Sequence, residues 1–140
     1  MGRNEEALCR LRQRQETGSG RGLLAILMHS LQAYLENDAS LCVRPLRELE
    51  TLPRRDPESL FYMARHLGRI GEREPAIAIL GKVIDGGFLC ASSLVRDPWL
   101  DPLRGAPGFR ELSQRAEDRR QVAHAAFLRA GGEQVIGRAA

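Results

Sequence analysis

Residues 56–88 read DPESLFYMARHLGRIGEREPAIAILGKVIDGGF, and this stretch decides the fold. Asp56 is a good helix N-cap, Pro57 fits the first helical position and Glu58 favours the positive end of the helix dipole. The helix they start carries Leu60, Phe61, Met63, Ala64 and Leu67 at helical spacing and stops at Gly71. A second helix begins at Glu74-Pro75, presents Ala76, Ile77, Ile79, Leu80, Val83 and Ile84, and ends at Gly86-Gly87. Two helices with so short a turn pair as an antiparallel hairpin. No stretch of the chain alternates strictly between apolar and polar residues, so strands are not expected.

The pattern extends in both directions. Toward the N-terminus, Leu23–Glu36 is apolar on most sides and reads as a helix buried on two faces, ended by Asn37-Asp38. Ser40 can cap a further helix running to about Leu52. Residues 4–16 form an outer helix with Asn4 as its cap and a narrow apolar face of Ala7, Leu8 and Leu11. Residues 17–22 are a glycine-rich break between it and the rest. Toward the C-terminus, residues 88–107 are rich in proline and glycine. They suggest a short helix near 90–96 and a compact turn carrying Trp99 and Leu103, followed by a long helix from Pro107 to Ala130. Gly131-Gly132 breaks that helix, and 133–138 adds a short turn.

Composition narrows the classes. The 140 residues are 43% hydrophobic and 28% charged with a formal net charge of +3, the balance of one soluble globular domain rather than a disordered chain. The longest apolar run, Leu23–Met28, is far short of the roughly 20 residues a membrane span needs. Residues 1–17 do not read as a signal peptide, and Glu6 stands where a myristoylation site wants Ser or Thr. Arginines interleave with acids, as in Arg110, Glu111, Arg115, Glu117 and Asp118, which is the pattern of solvated helix faces rather than a nucleic-acid stripe. Cys9, Cys42 and Cys90 are odd in number and far apart, so reduced, buried thiols in a cytoplasmic protein are expected.

A shift of 34 residues lays helix on helix. Ser30 falls over Ala64, Ala33 over Leu67, Asn37 over Gly71, Cys42 over Ala76 and Leu46 over Leu80. Small residues recur where two helices of a hairpin would approach most closely. With Ala64, Leu67, Gly71, Ala76, Leu80 and Val83 in place, residues 58–88 resemble the tetratricopeptide repeat. Residues 24–54 resemble it more weakly, and Pro45 departs from it by falling near the second turn of its helix. Gly87-Phe88, Leu94, Asp97-Pro98-Trp99-Leu100-Asp101-Pro102-Leu103-Arg104, Pro107 and Phe109 resemble the degenerate closing repeat of many bacterial tetratricopeptide proteins.

The resemblance, over roughly residues 20–130, implies an all-α right-handed solenoid of stacked hairpins. Residues 1–22 would be an N-terminal helix and linker. Residues 23–140 would comprise hairpins 23–54 and 55–87, the closing repeat 88–130 and a tail 131–140. It implies a non-catalytic scaffold that binds a peptide or helix of a protein partner in a groove lined by the first helix of each hairpin. Transferred groove positions are Leu24, Leu27, Leu31, Tyr34 and Leu35, then Glu58, Phe61, Arg65, Gly68 and Arg69. An amphipathic helix or an extended acidic peptide would suit them. Phe61 and Arg65 stand where the two-carboxylate-clamp type has lysine and asparagine. An equal reading has Leu27 and Leu31 covered by residues 4–16 or by an upstream repeat. Such closing repeats usually follow other domains, so a regulatory or sensor part of a larger bacterial protein, such as a kinase, cyclase or transcriptional regulator, is the alternative.

Candidate chemistry is sparse. His29, His66 and His124 fall on three separate helices, and no C-x-x-C or H-x-x-x-H spacing supports a metal site, so neither metal nor cofactor is expected. A small helical enzyme subunit using these His and Cys residues is the remaining rival, with no motif behind it. Asp97 and Asp101 each precede a proline, which makes them caps of turns beginning at Pro98 and Pro102 rather than an acid–base pair. The spacing of Trp99, Leu103 and Phe109, separated by Pro102 and Pro107, predicts that they turn inward together, pack on the helix 75–85 and seal the open end of the stack.

Overall fold

The computed structural model describes residues 2–17, 22–38, 40–44, 56–89 and 91–136, and among them every regular element is helical. The elements are α1 (Arg3–Thr17), α2 (Leu23–Leu35), α3 (of which residues 40–44 are described), α4 (Pro57–Ile70), α5 (Arg73–Asp85), α6 (Ala91–Arg96), a 3-10 helix (Pro98–Leu103), α7 (Pro107–Arg129) and α8 (Gly132–Ile136). The expected continuation of α3 to Leu52 with Pro45, the glycines at 18 and 20, Cys90 and the end of the tail lie outside the described residues. Among the described residues no helix is long and apolar enough to cross a membrane.

Local chemistry sets most boundaries. The Asp56 carboxylate accepts the Ser59 amide at 2.9 Å, and Pro57 opens α4 behind it. Gly71 ends α4 at φ 92°, where a side chain would be strained, and its amide and that of Glu72 return to the carbonyls of Gly68 and Leu67. Asn37 does the same for α2 at φ 65°. Three expected starts move. α1 begins at Arg3, with Asn4 already inside it and the Gly2 amide held by Glu5. α5 begins at Arg73, so Pro75 lies in its first turn. Asp38 rather than Ser40 caps α3: its Oδ1 accepts both the Leu41 amide at 3.1 Å and the Ser40 hydroxyl at 2.8 Å. In each case a neighbouring residue offers the same orphan amides a better-placed acceptor or an extra turn.

The core lies between α4 and α5. Met63, Ala64, Leu67, Ala76, Leu80, Val83 and Ile84 are buried there, with Ala64 and Ala76 supplying the small surfaces that let two helices approach closely. Each fully buried aliphatic side chain contributes about 1.5–3 kcal/mol of transfer free energy. Leu94, Leu100, Leu103, Phe109 and Ala116 close the cluster from the C-terminal side. α7 lies along α5, where Arg115 pairs with Asp85 at 3.0 Å and Arg119 donates to the Ile84 carbonyl. α2 reaches the core through Leu23, Ile26 and Leu27. α1 packs on α2, joined at its exposed edge by Arg12 and Glu36 at 2.7 Å.

Candidate functional site

The chemistry-bearing side chains converge where α2, α4 and the 3-10 helix meet. On α4, His66 follows Arg65 and Arg69 stands one turn beyond it, so all three lie toward one side of the helix. On α2, Ser30 and Tyr34 are also one turn apart and face them. The third wall is Trp99. Its position comes from Asp97, whose Oδ1 accepts the Trp99 amide at 3.0 Å while its Oδ2 forms an ion pair with Nε of Arg65. Arg104 fastens the segment from behind, donating to the carbonyls of Leu94 at 2.8 Å and Asp97 at 3.0 Å.

The rings pack tightly. The His66 and Trp99 centroids are 4.9 Å apart, edge to face, and Tyr34 and Trp99 are 6.0 Å apart. The Arg65 guanidinium lies 5.2 Å from the Trp99 centroid and that of Arg69 lies 5.3 Å from the Tyr34 centroid, both at cation–π range. Asp97 neutralises Arg65, whereas Arg69 is exposed and has no ion-pair partner among the described residues. His66 is only 8% exposed, and burial, with the nearby positive charge of Arg65, pushes its pKa down to about 4. It is therefore neutral near pH 7, and its Nδ1 shares a 3.0 Å hydrogen bond with the Ser30 hydroxyl.

The two residue sets that the sequence kept apart, a groove and a closing repeat, meet in this cluster. Tyr34, Arg65 and Arg69 stand beside Asp97 and Trp99. Phe61, Gly68, Leu27 and Leu31 offer this cluster no exposed side chain. Phe61 stands one turn before Arg65, whose guanidinium lies 6.0 Å from its ring centroid, but the ring itself is buried, 5.6 Å from Phe88 between centroids. Gly68 is covered by the 3-10 helix: a Cβ there would meet Leu103 Cδ1 at 3.0 Å and the Trp99 carbonyl at 3.4 Å. Leu27 packs against the core and Leu31 is half-buried. Leu24 is exposed.

The closing segment also needs correction. Leu103 and Phe109 are buried with the α5 residues as expected, but Trp99 is half-buried against α4 and α2. A 3-10 helix has three residues per turn, so Leu100 and Leu103 stack on one side and Trp99 is rotated away by about a third of a turn. Asp97 does cap its turn. Asp101 is exposed, and its carboxylate is held by Nε of Arg104 at 2.7 Å.

The Ser30–His66 pair is the contact that sequence reading missed. Hydroxyl and imidazole at this distance have the form of a nucleophile and its base. Here Ser30 is fully buried and no carboxylate hydrogen-bonds His66 among the described residues, so the pair is a buried cross-link between α2 and α4. A serine on the apolar helix 23–36, expected buried on two faces, carries the signal for it, since a buried hydroxyl needs a polar partner. Cys42 is buried and its thiol pKa is raised, first by desolvation and then by Asp38, which disfavours the reactive thiolate. Cys9, expected buried, is exposed on α1. His29 and His124 are exposed, and no group of three or more His, Cys, Asp or Glu residues could hold a metal ion among the described residues.

No protein family, no curated protein and no solved structure matches the chain.

Proposed function

We propose that the chain is a short right-handed stack of tetratricopeptide-like hairpins that works in the cytoplasm as a non-catalytic scaffold. Its ligand is an extended acidic peptide of a protein partner, laid across α2 and α4. The observation that carries this reading is Arg69, an exposed guanidinium with no carboxylate partner among the described residues, held over Tyr34 and close to the half-buried Trp99. A peptide carboxylate would pair with Arg69 while an adjacent apolar side chain covers the Tyr34 and Trp99 rings. Aromatic and arginine side chains at half-buried positions are the usual anchors of such contacts. The 34-residue spacing of small and apolar positions supports the hairpin array.

The test is selection from a displayed library of acidic peptides, followed by titration monitored through Trp99, the one tryptophan of the chain. Selected peptides should shift Trp99 emission, and Arg69→Glu should weaken them by roughly tenfold or more. Peptides that bind Arg69→Glu as well as the parent, or a library that yields no acidic binder, would refute the reading.

A further inference from the structure

The end of α7 is built differently from its beginning. Phe109 and Ala116 are buried against α5 and α6, and beyond Ala116 no residue of α7 is buried. The last hydrogen bond to α5 is from Arg119 to the Ile84 carbonyl, and the 10 residues after it extend for about 15 Å at 1.5 Å per residue. Residues 122–128 read VAHAAFL, with no Asp, Glu, Lys or Arg on any side for nearly two turns. α8 folds back after Gly131, which turns at φ 74°, and packs on α7 so closely at Gly132 that a Cβ there would fall 2.1 Å from the Phe127 ring. Val122 is 69%, Val135 85% and Ile136 74% exposed, and Leu128 is exposed as well. A helix apolar on every side is stable when neighbours surround it, and an exposed apolar patch of this kind marks an interaction surface.

We propose that the occupant is a second copy of this chain, its α7 end lying antiparallel to the first with the two α8 helices flanking the pair. The charges that border the apolar turns set this register. Asp118 and Arg129 are 11 residues apart, close to three full turns, and so lie on one side of α7 with Val122 and Ala125 between them. Their neighbours are already engaged: Arg120 with Glu117 at 2.6 Å, Arg119 with the Ile84 carbonyl, and Arg115 with Asp85. Asp118 is bonded only by the Gln114 amide, and Arg129 has no ion-pair partner among the described residues. An antiparallel pairing about the midpoint of 123 and 124 sets Asp118 of each copy against Arg129 of the other, and Val122 against Ala125. A parallel pairing would place like charge on like charge. Two copies thus satisfy four charges and cover Val122 and Ala125 of both.

Sedimentation equilibrium of the full chain, from low to high micromolar concentration, should show a monomer–dimer equilibrium with no larger species. Asp118→Arg and Arg129→Asp should each weaken the dimer roughly tenfold, because each change by symmetry disrupts two contacts. The double variant, with the charges exchanged, should restore it. Val122→Asp should leave a monomer with unchanged far-ultraviolet circular dichroism, as the site is exposed. Arg69→Glu should leave dimerisation intact, which separates this surface from the peptide site. A chain that stays monomeric, an open-ended association, or a dimer indifferent to Asp118, Val122 and Arg129 would each overturn the proposal.

Discussion

Acid should loosen the α2–α4 joint before it reaches the carboxylates, and His66 is the reason. The ring is buried between Ser30 of α2 and Trp99 of the 3-10 helix, with Arg65 as the nearest charge and Asp97 committed to that arginine. Its folded-state pKa is about 4, against an ordinary value of 6.5. The unfolded chain therefore takes up a proton as pH falls through 6.5, while the folded chain refuses it until about 4. Stability drops through that window and levels off below it. At pH 5 the linkage relation gives a loss of about 2 kcal/mol relative to pH 7. For a chain of this size that is about 6 °C in Tm.

The window is clean because the carboxylates respond lower. Arg12 holds the Glu36 carboxyl below its usual range, the Leu41 amide does so for Asp38, and Ser59 for Asp56. Arg120 brings Glu117 down to about 2. Folded-state pKa values depressed in this way contribute stability above the ordinary carboxylate range, and it is lost only as pH falls through and below that range. Urea unfolding followed by Trp99 fluorescence at pH 7 and pH 5 reads the effect. His66→Gln keeps a hydrogen-bonding group near Ser30 but cannot titrate, so its stability should be nearly equal at the two values. Equal stability of the parent at both, or the same acid loss in His66→Gln, would show that His66 is not held neutral by the joint.

Two further outcomes follow from the packing around the same segment. Trp99→Ala should cost about 1–2 kcal/mol in urea unfolding, less than the 3–5 of a fully buried aromatic, because the ring is half-buried; a loss at the full-burial level would mean that Trp99 is sealed into the core. Gly68→Ala should destabilise by about 1–3 kcal/mol, since its Cβ would press on Leu103 at 3.0 Å; Leu103→Val in the same chain should recover part of the Tm, and a neutral Gly68→Ala would show that the 3-10 helix does not seat on α4 there.

How much of this was legible follows from the range of each interaction. Asp56, Gly71 and Asn37 act on amides and carbonyls within four residues, so their helix ends could be read from sequence. Asp38 and Ser40 compete for the same amides two residues apart, and composition does not say which carboxylate or hydroxyl points correctly. The core of α4 and α5 was legible because apolar spacing repeats along each helix. The burial of Phe61 was not legible for the opposite reason: it stands one turn before Arg65, but the Phe88 ring that covers it arrives only with the returning chain after α5.

The meeting of Tyr34, Arg65 and Arg69 with the 97–103 segment depends on a turn type rather than on a pattern. Pro98 and Pro102 could serve several compact turns, and an α-turn would have carried Trp99 with Leu103 toward α5. The 3-10 winding instead stacks Leu100 on Leu103 and swings Trp99 onto His66 and Tyr34. Asp97 then performs two tasks with one carboxylate, capping that winding and neutralising Arg65. The consequence is electrostatic. Of the two arginines facing α2, Arg65 is already paired, and Arg69 keeps a charge with no ion-pair partner among the described residues. A segment that closes the core through Leu100 and Leu103 therefore also fixes, through Asp97, which arginine of this face is neutralised, so core packing and surface charge are set together within residues 97–104.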